Sequence, residues 1–171
     1  AIIPTGNELT DDISEISNGA SIRHTKRKIF DSNSFIISKL IEDAGGIPYY
    51  GGIASDDLRA IARRIKHALK LCDMVLTLGG SSMGRFDMVE TAVNSLGKPG
   101  IIAHGVRVDR GRVTGAAIIE QKPIIILPGP IQGAVSGFIA LVFPLIKRMS
   151  GSNCSCPLIV PAILTKDWQA R

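Results

Sequence analysis

The sequence predicts an α/β fold, a three-layer sandwich with a mainly parallel central sheet plus a β hairpin. Three observations predict it. Strand-like and helix-like apolar patterns alternate along the chain, the order that lays helices on both faces of a parallel sheet. Two short runs, 74–78 and 123–127, are almost wholly apolar, as strands buried on both faces are. Each of these runs ends in a tight turn, Gly79-Gly80 and Pro128-Gly129. The 171 residues, 45% of them hydrophobic, suffice for one domain with a real core.

Taken in order, 2–4 is a short apolar strand and 5–30 a long polar loop ending in a basic run. Asp31-Ser32-Asn33 opens a helix, because such side chains accept the first free N–H groups. Phe35, Ile36, Leu40, Ile41 and Ala44 then recur at helical spacing, and Gly45-Gly46 stops it. A strand is expected over 47–53. Ser55-Asp56-Asp57 caps the next helix, with Leu58, Ile61, Ala62, Ile65, Ala68 and Leu69 as its apolar face. The strand 74–78 leads through a glycine-serine turn into a helix over about 86–96. Segments 101–108 and 113–119 alternate around Arg110-Gly111, as a hairpin does. The strand 123–127 and a helix over about 132–149 complete the order. The domain is expected over 1–151. Residues 152–171 read as the start of a following β segment, and both ends read as cuts within a longer chain.

Composition bounds the function. Lys+Arg 20 against Asp+Glu 15 gives a net charge of +5, which favours anionic ligands. Aromatics are only 5% and no basic stripe is visible, which argues against nucleic acid. Three cysteines, Cys72, Cys154 and Cys156, make no disulfide framework, and a reducing cytoplasm fits. No uninterrupted apolar run reaches the roughly 18 residues of a membrane span, and the first residues lack the basic region of a signal peptide.

Ligands of such sheets bind beyond the carboxyl ends of the strands. Three features should meet there: the Thr5-Gly6 turn, the loop Gly79-Gly80-Ser81-Ser82-Met83-Gly84, and the Pro128-Gly129 turn. Strand, glycine-rich turn and helix together suit a phosphate, since backbone N–H groups can approach an anion closely. A tight turn with no ligand is the structural alternative. Glu8, Asp56, Asp57 and Asp87 lie at loop ends, and their convergence would make a hard oxygen site of the Mg²⁺ kind. Helix capping explains Asp56, Asp57 and Asp87 equally simply. Arg107, Arg110 and Arg112 by the hairpin could clamp an oxyanion or merely keep it soluble. His24, His67 and His104 show no triad or metal spacing.

Thr5-Gly6-Asn7-Glu8-Leu9, Asp31-Ser32-Asn33, Ser55-Asp56-Asp57, Gly79-Gly80-Ser81-Ser82-Met83-Gly84-Arg85-Phe86-Asp87 and Leu127-Pro128-Gly129 occur in this order. Together they resemble the molybdopterin-binding domain of the MoeA and gephyrin E-domain type, over roughly 2–151. The resemblance implies a molybdopterin molybdenumtransferase: molybdenum from molybdate is inserted into adenylylated molybdopterin, with Mg²⁺ and release of AMP. It implies Glu8, Asp57 and Asp87 as the acidic site residues, with Asp56 as the alternative to Asp57 and as a metal ligand. Arg112 would be the basic catalytic group. Thr5, Gly6, Ser32, Asn33, Gly79, Gly80, Ser81, Ser82, Gly84, Pro128 and Gly129 would hold phosphate and pterin. A homodimer or trimer, further domains of the same chain, a cytoplasmic setting, and no nucleic-acid or membrane partner are implied too. The sequence departs from the family where Lys-Pro-Gly-Lys-Pro is usual, reading Asp109-Arg110-Gly111-Arg112-Val113. After Leu127-Pro128-Gly129 it has Pro130-Ile131 instead of Asn-Pro. These changes keep two alternatives open: a molybdopterin-binding module without catalysis, and a nucleotide-processing hydrolase of the related domain type.

Overall fold

A computed structural model describes residues 1–17, 28–80, 88–107 and 112–152, together with 161, 163 and 165. The elements are β1 (Ile2–Pro4), β2 (Leu9–Thr10), α1 (Ile13–Ser17), β3 (Ile29–Phe30), α2 (Asn33–Asp43), α3 (Leu58–Leu71) and β4 (Val75–Leu78). They continue with α4 (Met88–Ser95), β5 (Gly100–His104), β6 (Gly115–Ile119) and β7 (Lys122–Leu127). A long C-terminal helix follows: α5 (Ile131–Gly137), a π-helical stretch (Phe138–Val142) and α6 (Phe143–Met149).

The main sheet has the order β1-β4-β7-β6-β5. β1, β4 and β7 run parallel, with Ile3 opposite Thr77 and Thr77 opposite Ile126. β6 and β5 extend the sheet antiparallel. Side chains alternate across a strand, so each buried strand serves two cores. Ile3, Val75, Ile124 and Ile126 point to one face and pack with α3 and α4 residues such as Ile61, Ile65 and Val89. Ile2, Leu76, Leu78, Ile125 and Leu127 point to the other, against Ile37 and Ile41 of α2 and Phe138 of the last helix. Strands apolar on both sides therefore follow from the three-layer arrangement the sequence predicts, and the mainly parallel α/β sandwich is observed.

The helices follow from capping and periodicity. Asp57 caps α3 by accepting from Ala60 N at 2.8 Å, and Ile61, Ile65, Ala68 and Leu69 form its buried stripe. In α2 the buried positions are Ser34, Ile37 and Ile41. Phe35 and Ile36, part of the expected apolar periodicity, are 65% and 43% exposed. The C-terminal helix buries Ala134, Phe138 and Val142, one residue per turn. Ile139, also expected at helical spacing, lies half exposed. The helix is not regular throughout, because Pro144 at the start of α6 has no N–H to give. The i→i+5 pattern of 138–142 accommodates that missing donor. By length and composition alone, Ile131–Met149 could cross a membrane. In this fold its apolar stripe is spent on the sheet.

Two expectations are corrected. Segment 47–53 forms no strand: it runs beside β1 with isolated parallel bridges at Ile2–Tyr50 and Thr5–Ala54. Pro48 lacks a donor, and Gly51-Gly52, with Gly52 at φ +76, breaks the extended run. The stretch 5–30 is not one loop, since β2 and β3 pair in parallel across it and α1 lies between them. Residues 18–27 lie outside the described residues, as do 153–160 of the expected C-terminal segment. A second hairpin joins β6 to β7. Glu120 and Gln121 take φ values of 51° and 64° there, the left-handed pair a two-residue hairpin turn demands. The β5–β6 hairpin is as expected.

Gln121 holds a left-handed conformation that glycine adopts without steric cost. Gln121→Gly is expected to stabilise the chain by about 0.5–1 kcal/mol, the strain relief exceeding the added unfolded-state entropy. Urea unfolding checks this; an unchanged or lower midpoint would refute the strained-turn assignment.

Candidate functional site

Three turns converge at the carboxyl ends of β1, β4 and β7. The ladder continues one bond past each strand: Thr5 N donates to Leu78 O at 2.9 Å, and Gly79 N to Leu127 O at 3.0 Å. The turns thus lie backbone against backbone. A Cβ on Gly79 (φ +85) would sit 3.0 Å from Thr5 O and 3.8 Å from Gly129 Cα. A Cβ on Gly80 (φ +69) would meet Thr5 Oγ1 and Val89 Cγ2 at 2.6 Å each. Glycine is required at both positions, for conformation and for space.

Beyond these turns opens a pocket of about 620 Å³, within the usual range for small-ligand sites. Thr5, Gly79, Gly80 and Gly129 line its glycine-rich part, and Ser32 and Asn33 bring in the first turn of α2. Asn33 Nδ2 donates to Gly129 O at 2.8 Å, tying α2 to the turn after β7. Glu8 and Asp56 supply carboxylates, and Leu9, Ile29, Phe30 and Met88 an apolar wall. No lysine or arginine is among the described lining residues. An anionic ligand therefore meets the turn dipoles and a lining whose three charged residues, Glu8, Asp31 and Asp56, are all acidic.

Asp56 is fixed by a reciprocal clasp. Asn7 N donates to Asp56 Oδ2 at 3.0 Å, and Asp56 N donates to Asn7 Oδ1 at 3.1 Å. Glu8 folds back so that its carboxylate covers the open side of Gly6. Asp31 is 4% exposed and is also committed. It accepts from Ser34 N at 3.2 Å and from the Tyr50 hydroxyl at 3.4 Å. Burial first, then the Asp31 charge, raises the Tyr50 pKa, so the phenol stays protonated and donates.

The structure brings Thr5, Glu8, Ser32, Asn33, Asp56, Gly79, Gly80 and Gly129 to one pocket. Gly6 lies in the adjoining turn, buried beneath Glu8. Asp57 does not line the pocket; its carboxylate caps α3. Pro128 forms the turn after β7 without lining the cavity. Arg112 is exposed before β6. β6 runs antiparallel to β7, so Arg112 belongs to the same sheet edge while standing apart from the pocket. Ser81, Ser82, Gly84 and Asp87, and Asp109 to Gly111 of the hairpin loop, lie outside the described residues. Among the described residues no group of three His, Cys, Asp or Glu side chains is placed to hold a metal by itself. Sequence reasoning missed Asn7, Asp31, Tyr50 and the wall residues as parts of the site. Asn7 and Asp31 sit inside the quoted motifs, but their hydrogen bonds span up to 49 residues and leave no local pattern.

Residues 1–148 match a family model described as "Probable molybdopterin binding domain". The chain belongs to this family of molybdenum cofactor biosynthesis. It is 30% identical over 168 residues to a molybdopterin molybdenumtransferase of Staphylococcus aureus, covering 98% of this chain and 38% of that protein. The molybdopterin molybdenumtransferase of Bacillus subtilis is 29% identical over 167 residues, covering 98% and 37%. A MoeA molybdopterin biosynthesis protein of Pyrococcus horikoshii superposes with a TM-score of 0.70 at 27% identity, over 88% of this chain and 34% of that one. The chain thus spans well under half the length of these relatives.

Two substitutions test the assembly of the site. Gly80→Ala is expected to cost about 1–3 kcal/mol, from the left-handed backbone and overpacking against Thr5 and Val89. Asp57→Ala is expected to cost about 1 kcal/mol, as loss of a helix cap does, with ligand affinity unchanged. Denaturation and titration together read both. Ligand affinity lost in Asp57→Ala at undiminished stability would contradict the capping role.

Proposed function

We propose that the pocket binds molybdopterin in its adenylylated, phosphoanhydride-bearing form, and that the longer protein transfers molybdenum from molybdate to its dithiolene with release of AMP. The observation that carries this is the convergence of Thr5, Gly79, Gly80 and Gly129 around one small-ligand pocket. Thr5 N and Gly79 N are committed to the sheet ladder, so Gly80 and Gly129 are the turn residues whose N–H groups would approach an anion as no larger residue would allow. The two relatives named as molybdenumtransferases, matched along nearly the whole chain, support the reaction.

The residues present suit Mg²⁺. It takes oxygen ligands and uses one or two carboxylates together with substrate phosphates; Glu8 and Asp56 border the pocket, and no lysine or arginine is among its described lining residues. When bound, Mg²⁺ polarises the phosphoanhydride and neutralises its charge. Asp56 Oδ2 is held by Asn7 N, which aims the carboxylate before any ligand arrives. Asp87, which the resemblance places in the same acidic set, completes the proposal. In this reading Asp57 serves α3 as its cap. Arg112, at the same sheet edge, supplies positive charge toward a departing phosphate.

A homo-oligomer in the cytoplasm belongs to the same proposal. Ile13 and Phe35, 66% and 65% exposed, are apolar surface that a second subunit would cover.

A second reading is a binding module without turnover. Asp109 in place of a basic residue and a pocket lining without a described lysine or arginine favour it. An assay of AMP release from adenylylated molybdopterin, with molybdate and Mg²⁺ and the full-length protein, separates the two. Release that falls at least tenfold in Asp56→Asn supports the transferase. Binding without release supports the module. Neither binding nor release overturns the pocket assignment.

A further inference from the structure

We infer that Phe30, on the β2–β3 ribbon, is the stacking platform for the planar heteroaromatic ring of the ligand and the residue that determines specificity for it. The inference rests on the pocket being the phosphorylated-ligand site proposed above, and deepens it by assigning the two halves of the cavity.

The lining is chemically divided. The glycine turns and the first turn of α2 are polar and suit phosphate. Leu9, Ile29 and Phe30 come from a separate two-stranded ribbon, in which Leu9 stands opposite Ile29 and Thr10 opposite Phe30. Side chains alternate along β3, so Phe30 faces away from Leu9 and Ile29, and the stacking surface is its ring, the one aromatic among the described lining residues. A flat π-system laid there would cover apolar surface, and stacking on an aromatic side chain tolerates many ring types.

The ribbon is tied to the neighbouring backbone, and its aromatic ring to a second ring, without a ligand. Ile29 N donates to Glu8 O at 2.7 Å, Asp31 N to Thr10 O at 2.9 Å, and Ser32 N to Phe30 O at 2.9 Å. The ring of Phe30 is braced by Phe35, centroids 5.8 Å apart and planes 20° from parallel. Little side-chain freedom is left to lose on binding. The same pair also has a structural use. With Asp31 accepting from Ser34 N, Phe30 and Phe35 stand as a hydrophobic staple at the start of α2. Staple and platform make different predictions, because Phe35 braces the ring without lining the pocket.

Two sources could supply the ring, the pterin and the adenine of the adenylyl group. The test titrates the chain with AMP, ribose 5-phosphate, a phosphorylated pterin (neopterin phosphate) and inorganic pyrophosphate. The variants are Phe30→Leu, Phe30→Trp and Phe35→Leu. The platform predicts that Phe30→Leu weakens a ring-bearing probe about tenfold, in the range of base stacking on aromatics. It also predicts that ribose 5-phosphate and pyrophosphate are unchanged, and that Phe30→Trp restores affinity. A loss confined to AMP assigns the adenine; a loss confined to the pterin phosphate assigns the pterin. Phe35→Leu should lower stability with no selectivity between probes. Equal losses for ring-bearing and ring-free probes, or ring-bearing probes unaffected by Phe30→Leu, overturn the platform and leave the phosphate site standing. A folded parent that binds none of the four probes overturns the pocket assignment and the platform with it.

Discussion

Everything at the site depends on how closely three backbone turns approach one another. β1, β4 and β7 are parallel and in register, and their ladder runs on to Thr5 and Gly79. That pulls the three connections together beyond the strand ends. Only glycine at 79 and 80 allows the approach, since a Cβ at either would strike Thr5. Sheet, turns and pocket are therefore one construction. The alternating buried faces that hold the strands between two helical layers also fix where the turns point.

Charge is distributed to match. The chain carries a net +5, yet the described pocket lining bears Glu8, Asp31 and Asp56 with no basic side chain. Backbone dipoles alone would hold a phosphate weakly beside these carboxylates. A divalent cation bridging carboxylate and phosphate removes that conflict, which is why the acidic rim supports the metal-dependent reading. Asp31 illustrates the contrary case. It too lines the pocket, but its carboxylate is committed to Ser34 N and the Tyr50 hydroxyl, so it organises α2.

The sheet was legible because buried parallel strands write themselves as apolar runs. The positions of Gly79, Gly80 and Gly129 were legible because punctuating glycines follow those runs. Segment 47–53 misled: its residues favour strand, but Pro48 and Gly51-Gly52 leave only bridges to β1. The ribbon of β2 and β3 was hidden because each strand is two residues long, too short for periodicity to register. Asp56 and Asp57 could not be told apart in sequence, as both suit a helix start. The structure separates them, one clasped to Asn7 at the pocket and the other capping α3. Tyr50 had no local signal at all, since its role comes from a hydroxyl meeting a carboxylate 19 residues away.

The most direct measurement is calorimetric titration of the folded chain with adenylylated molybdopterin, with and without Mg²⁺. The account predicts saturable binding that is at least tenfold tighter with Mg²⁺, and loss of that metal dependence when Glu8 and Asp56 are both replaced by their amides. Absence of binding, or binding indifferent to Mg²⁺ and to both carboxylates, would contradict it.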